Sequence, residues 1–478
     1  MLDGSLLNNG YVYATDSLYF LHTSQVLTNG WQYQLQGDVG LLNGYAGGSF
    51  VNQGSGSLVK TAGTGTSLVN ITSQHKSGSL VEAKAGRLQF TGSTTFEANA
   101  QLMANPGATI AFTGGGLTLG AGTTLNGTGA YEIGTDTSVL GNLGASQLNF
   151  TNGDFTGNNA TLTSNAAWTG SGSFAGSWRI AAGTTLSVAD TGNHYIRGTV
   201  NNLGTLDTEG HLYFEYASYK ITNAGTLNLR GDIGLVNAYA GGSVVNTGTF
   251  AKVAGAGTSV VQGIHFTNNG GLIDAQTGTL QFSGGALQFN DGSRFTGAGK
   301  VVIASNANFA GRIDTANLVL AGASYDGAAA EVHGSTTVTA GALTGQWTFA
   351  SDHQLTLSPG SGMYVRGNVT NAGTFAAGAN LYFEYPSYVL NNTGSMTLQG
   401  GASIVNAYAG GSVNNAGTLT VAAGSGTSLI QGITTSITGA VNLDSGTLQF
   451  SGGSLSLAST ATLQAAGGTT VVMGGSNS

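Results

Sequence analysis

Residues 199–229 read TVNNLGTLDTEGHLYFEYASYKITNAGTLNL and hold the same phrase twice, Asn-x-Gly-x-apolar, at Asn202 (NLGTL) and Asn223 (NAGTL). The phrase continues at Asn246 (NTGTF) and Asn268 (NNGGL), giving gaps of 21, 23 and 22 residues. It returns at Asn371 (NAGTF), Asn392 (NTGSM) and Asn415 (NAGTL), and then at Ile437 (ITGAV), where Asn is lost; the gaps are again 21, 23 and 22. A fixed period of this size marks a stack of equivalent units, each too small to bury its own apolar side.

Within each unit, segments such as GTLNLRG, GTLQFSG, TLSVAD and KVVIAS alternate apolar and polar residues over four to six positions and then meet Gly, Asn or Ser. This period of two, closed by turns, describes half-buried strands; no window sustains the 3.6 period of a helix. Two or three short strands per 22 residues make one coil of a parallel β-helix, with neighbouring coils about 4.8 Å apart. The spacing predicts one interior stack of Leu206, Leu227, Phe250 and Leu272. The recurring Asn forms either a ladder of stacked amides, each donating to the next, or a plain turn. The Gly two residues later is expected to supply a positive φ at the corner.

A larger repeat is superimposed. Four-coil blocks occupy 1–93, 194–285 and 363–453, separated by spacer coils at 94–193 and 286–362 and followed by a partial spacer at 454–478, all read as one continuous solenoid. LYFLHTSQ (18–25), LYFEYASY (212–219) and LYFEYPSY (381–388) fix the register, as do NGYAGGS (43–49) and NAYAGGS (237–243 and 406–412). The second and third blocks are offset by 169 residues and the first and second by 194; the excess of 25 is close to one added coil. Trp178 and Trp347, also 169 apart, read as core plugs.

Composition narrows function. Charged residues are 7% of the 478, against about 25% in ordinary soluble domains. The 13 Lys and Arg make no phosphate-binding patch, and the net charge is −8, so nucleic acid is not an expected partner. There is no Cys, no run long enough for membrane insertion and no visible signal peptide, so an export signal is expected outside this stretch. His22, His75, His194 and His211 show no metal-ligand spacing, and no metal or cofactor is expected. Asp38 and Asp232 recur at one position (GDVGL, GDIGL), but the third block reads GASIV, and no catalytic pair is evident.

The strongest candidate surface is LYFEY[AP]SY. With Leu212, Phe214 and Tyr216 inward, Tyr213 and Glu215 face outward and the following turn shows Ser218 and Tyr219. The third block repeats this with Tyr382, Glu384, Ser387 and Tyr388, whereas the first has Leu21 and His22 in place of Glu and Tyr. Tyr45, Tyr239 and Tyr408 extend the surface. Exposed Tyr beside a carboxylate suits sugar stacking or a protein contact; bracing of a wide coil is the structural alternative.

The phrases VTNAGTF, ITNAGTLNL, VVNTGTF and GTLQFSGG resemble the passenger regions of filamentous-haemagglutinin-like and autotransporter-type bacterial adhesins, and the resemblance covers essentially the whole chain. It implies a right-handed, single-stranded parallel β-helix, export to the bacterial cell surface, and a non-catalytic role as a structural or adhesive shaft that meets a glycan or protein. A subunit of a fibre or sheath stacking end to end shares this fold. A polysaccharide-active β-helix enzyme is the third reading.

Overall fold

The computed structural model describes residues 1–360 and 362–474. Among them there is no helix, and hence none long and apolar enough to cross a membrane. Short strands recur through the chain and pair in parallel, each with the strand one coil earlier and one coil later, in a β-solenoid of about 22 turns. The chain divides into two compact units, Met1–Gly242 and Ser243–Ser478.

In the first unit one interior column runs Asn8, Asn29, Asn52, His75, Phe96, Leu119 and Val139, residue paired with residue across successive coils. In the second unit a column runs Asn246, Asn268, Phe289 and Phe309, and another runs Phe349, Asn371, Asn392, Asn415 and Ile437. The same interior position therefore holds amides through most of each block, with His75 and Ile437 at the fourth step of the first and third, and apolar or aromatic side chains in the spacers. Phe289 and Phe309 stack with ring centroids 5.1 Å apart.

The amides form the ladder. Asn8 donates to Asn29 (2.6 Å), Asn29 to Asn52 (2.8 Å), Asn202 to Asn223 (2.7 Å), Asn246 to Asn268 (2.7 Å), Asn371 to Asn392 (2.8 Å) and Asn392 to Asn415 (2.7 Å). In each of these six pairs the amide donates toward the C-terminal coil. Asn202, Asn371, Asn392 and Asn415 also donate to the backbone carbonyls of Thr226, Ser395, Thr418 and Ala440 on the next coil. A buried amide needs such partners, because leaving one unmade costs about 1–3 kcal/mol. The direction leaves a signature. Asn202 and Asn371 follow Ile180 and Phe349, which donate nothing from their side chains, and the Oδ1 atoms of these two Asn have no protein donor. The Asn8, Asn29 and Asn52 ladder uses the same grammar, NNG, NG and NQG, in the divergent first block.

Three details depart from the sequence reading. Gly204, Gly225, Gly373, Gly394 and Gly417 do not adopt positive φ. They are small because of the coil beside them: a Cβ on Gly225 would collide with the carbonyl oxygen of Gly204, one on Gly394 with that of Gly373, and one on Gly417 with that of Gly394. Leu206 pairs with Leu227 as expected, but Leu272 is only half-buried and Ile273 takes the interior place opposite Phe250. The turn NNGG is one residue longer, with Gly270 at φ 71°, and the extra residue moves the alternation by one. Tyr216 is exposed rather than inward, because the strand ends at Phe214 and the chain turns outward.

Trp178 and Trp347 are buried, with their indole N–H groups donating to the carbonyls of Phe155 (2.9 Å) and Thr344 (2.8 Å). Asp38 serves the frame: it pairs at 2.8 Å with Lys60, which lies wholly inside the coil and also donates to Gly37 O and Ser67 Oγ. The second block has the equivalent residues Asp232 and Lys252; the third has Gly401 and Val421.

Candidate functional site

Each unit carries one copy of an exposed tyrosine patch, built from two coils. In the first unit the strand His194–Asn202 lies beside the strand Leu212–Phe214, in the register His194 to Leu212, Tyr195 to Tyr213 and Ile196 to Phe214. Alternation sends His194, Ile196, Leu212 and Phe214 inward and leaves Tyr195 and Tyr213 at the surface, ring centroids 5.5 Å apart. Two residues after each of these Tyr stand Arg197 and Glu215. The guanidinium meets Glu215 through two nitrogens, Nε at 2.6 Å and Nη2 at 3.2 Å, while Nη1 lies 3.3 Å from Asp154. Arg197 also lies over the Tyr195 ring, 4.7 Å from its centroid, a cation–π contact.

The chain then turns. Tyr216 stands edge-on to Tyr219 (5.4 Å) and to Tyr239 of the next coil (5.8 Å, interplanar 72°). Tyr239 is 77% exposed. Its loop is held by Asn237, whose Oδ1 accepts from the Tyr239 and Gly241 N–H groups, and by Ala238 and Ala240, whose N–H groups donate to Phe214 O and Glu215 O. Gly242 packs on the Phe214 ring with no room for a Cβ, which accounts for the second Gly of NAYAGGS.

The second unit repeats this arrangement. Tyr364 and Tyr382 pair at 5.2 Å; Arg366 binds Glu384 through Nε (2.6 Å) and Nη2 (2.9 Å) and covers Tyr364 at 4.7 Å. Tyr385 stands edge-on to Tyr388 (5.5 Å) and is inclined at 68° to Tyr408, which is 76% exposed. The Arg366 guanidinium holds the Glu384 carboxyl below the usual carboxylate range, and the carboxylate in turn raises Arg366. The first block keeps the loop but not the patch: Tyr45 is 84% exposed, while Leu21 and His22 replace Glu and Tyr.

Of the sequence-derived contacts, Tyr213, Glu215, Tyr219, Tyr382, Glu384 and Tyr388 are all partly exposed and gathered in these two patches. Arg197, Arg366, Tyr195 and Tyr364 were not foreseen as members. Their signal is the pair of motifs HYIRG (194–198) and MYVRG (363–367), one coil before each LYFEY. Asn202, Asn223, Asn246, Asn268, Asn371, Asn392 and Asn415 belong to the frame.

A different cluster lies in the second spacer. His333 bridges Asp352 (Nδ1, 2.8 Å) and Glu331 (Nε2, 3.0 Å); Arg312 meets His333 and pairs with Asp314 at 2.8 Å. Its contacts are met within the cluster, Glu331–His333 and Arg312–Asp314 along one strand each and Arg312–His333 and His333–Asp352 across neighbouring coils. No protein-family model matches the chain, and no curated protein matches it.

Proposed function

We propose that the chain is an extracellular structural and adhesive shaft of a large bacterial surface protein, working without catalysis. The observation that carries this reading is the duplication of one exposed patch, Tyr195/Tyr213/Tyr216/Tyr239 and Tyr364/Tyr382/Tyr385/Tyr408, with the same Arg–Glu clamp, on a frame whose interior is held by amide and apolar columns. An identical contact surface offered twice suits attachment to a repeating partner, where a second contact raises avidity without new chemistry. The resemblance of the repeat phrases to adhesin passenger regions points the same way.

The test is accessibility on the intact bacterium that makes the protein. Antibody raised to the purified chain should label unbroken cells, and external protease should remove the label. Labelling that needs lysis would overturn the proposal. Release of new reducing ends from a polysaccharide panel by the purified chain would favour the enzyme reading instead.

A further inference from the structure

We infer that each tyrosine patch is a binding site for neutral hexose units of a glycan chain, so that one polypeptide offers two equivalent sugar sites. This rests on the adhesive reading and names its ligand class.

The argument begins with what the patch withholds. Arg197 spends Nε and Nη2 on Glu215 and directs Nη1 at Asp154; Arg366 spends Nε and Nη2 on Glu384. Each guanidinium is thus paired with its own carboxylate, so its charge is answered within the patch. Lys220 adjoins the first patch, but Val389 stands at its place in the second, so a property shared by both cannot depend on it. An acidic glycan would have to compete with Glu215 or Glu384 for guanidiniums already paired to them, so its charge gains it little over a neutral glycan. The backbone is likewise engaged: Ala238 and Ala240, and their equivalents Ala407 and Ala409, donate to the neighbouring loop at 2.7–2.8 Å. An added peptide strand would need those groups free.

What the patch offers is a corner of aromatic faces. Tyr216 and Tyr239 meet at 72°, and Tyr385 and Tyr408 at 68°. One ring of each tilted pair, Tyr213 beside Tyr195 and Tyr382 beside Tyr364, stands three residues before Tyr216 and Tyr385 of those corners. A hexose has one face of C–H groups and a rim of hydroxyls. The C–H face covers a ring, while the rim finds phenolic hydroxyls and the remaining lone pairs of the clamped carboxylates. The clamp fixes those acceptors in advance, so little side-chain freedom is lost on binding. These rings stand out from the coil, a shape suited to a sugar lying across them rather than to a side chain entering a pocket.

The test is affinity electrophoresis of the full chain through native gels containing soluble galactomannan, xyloglucan, mixed-linkage β-glucan or dextran, with polygalacturonate as the acidic gel. Retardation is expected in at least one neutral gel and not in polygalacturonate. Tyr216→Ala with Tyr239→Ala, or Tyr385→Ala with Tyr408→Ala, should weaken it by about tenfold or more through lost avidity, and all four substitutions together should abolish it. Far-UV circular dichroism checks the coil, and a parallel Tyr→Asn set replaces any Ala variant that fails to fold. No retardation in any neutral gel, retardation untouched by the fourfold variants, or retardation confined to polygalacturonate would each overturn the inference. Intact-cell labelling reads separately: a labelled surface with no sugar binding removes the ligand class and leaves the shaft, whereas sugar binding without surface labelling removes the shaft.

Discussion

The first block and the third use the same ladder but close their turns differently. In the third, the strand after each ladder residue begins three positions on, at Thr374, Ser395, Thr418 and Ala440, and these residues pair in one column. In the first, the paired positions Tyr11, Gln32, Ser57 and Leu80 fall three, three, five and five residues after Asn8, Asn29, Asn52 and His75. Uniform turns let the glycines nest, so Gly394, Gly417 and Gly439 each sit on the carbonyl of the glycine one coil before. In the first block the glycines fall at other places in the turn: the nearest atom to a Cβ on Gly30, directly after its Asn, is the Asn9 side-chain Oδ1 at 2.9 Å, on Gly54 it is the Ser77 carbonyl at 2.8 Å, and Gly56, four residues after its Asn, meets the Asn29 carbonyl. The lesson is that identical letters, Asn and Gly, carry different loads according to where in the turn the glycine falls and what the coil before places beside it.

The largest effect should come from testing that difference directly. Gly394→Ala must push two backbones apart and should destabilise by about 3 kcal/mol, the upper end for overpacking. Gly30→Ala, which meets a movable side chain, should cost under about 1 kcal/mol. Denaturant unfolding followed by far-UV circular dichroism measures both, and equal losses would break the comparison.

The pair of buried Lys60 and half-exposed Asp38 comes next. Asp38→Ala alone strands a buried ammonium and should lower the unfolding midpoint clearly. Asp38→Ala with Lys60→Val should recover most of the loss, because the third block already carries Val421 and Gly401 at those places. A double variant no better than the single one would show that the first block cannot accept the third block's solution.

The fourth ladder step differs as well: His75 in the first block, Ile437 in the third. Burial drives the His75 imidazole down to about 3, its two nitrogens lack protein partners, and its ring stacks on Phe96 at 4.4 Å. With the folded value below the unfolded one of about 6.5, the unfolded chain binds the extra proton between those values. Stability is then full above about pH 6.5 and falls as pH drops toward 3, by about 1.4 kcal/mol per pH unit from this residue. His75→Phe should flatten that slope in acid unfolding curves while changing little at pH 8. The smallest effect belongs to the surface. Glu384→Gln loosens a half-exposed clamp and should cost under about 1 kcal/mol, measured in the same unfolding assay.

The frame was legible because its period is written in polar letters. Asn at 21- to 23-residue gaps means a ladder only if coils stack, and the ladder is there. Other features were hidden for definite reasons. A glycine needed for φ and one needed for close approach look the same in a sequence, since both forbid a Cβ. Leu272 and Ile273 are both apolar, and only the longer NNGG turn decides between them. The Arg–Glu clamps escaped notice because their partners lie 18 residues apart, across a coil shorter than the one the Asn ladder advertises.

The one-way amide ladder has a consequence for how such a chain grows. A run leaves at most one unanswered acceptor, at its first step: Asn202 and Asn371 show it, whereas Asn8 Oδ1 is answered by the Gly10 N–H at 3.1 Å, and that number does not rise with the length of the run. Copying a whole coil within a run therefore adds donors and acceptors in equal measure and creates no new defect, whereas gaining or losing half a coil would take every later amide out of line. Tandem duplication in the gene is thus filtered toward whole coils, and the 25-residue excess separating the first two blocks from the 169-residue spacing of the next two is the size of mark that filter would leave.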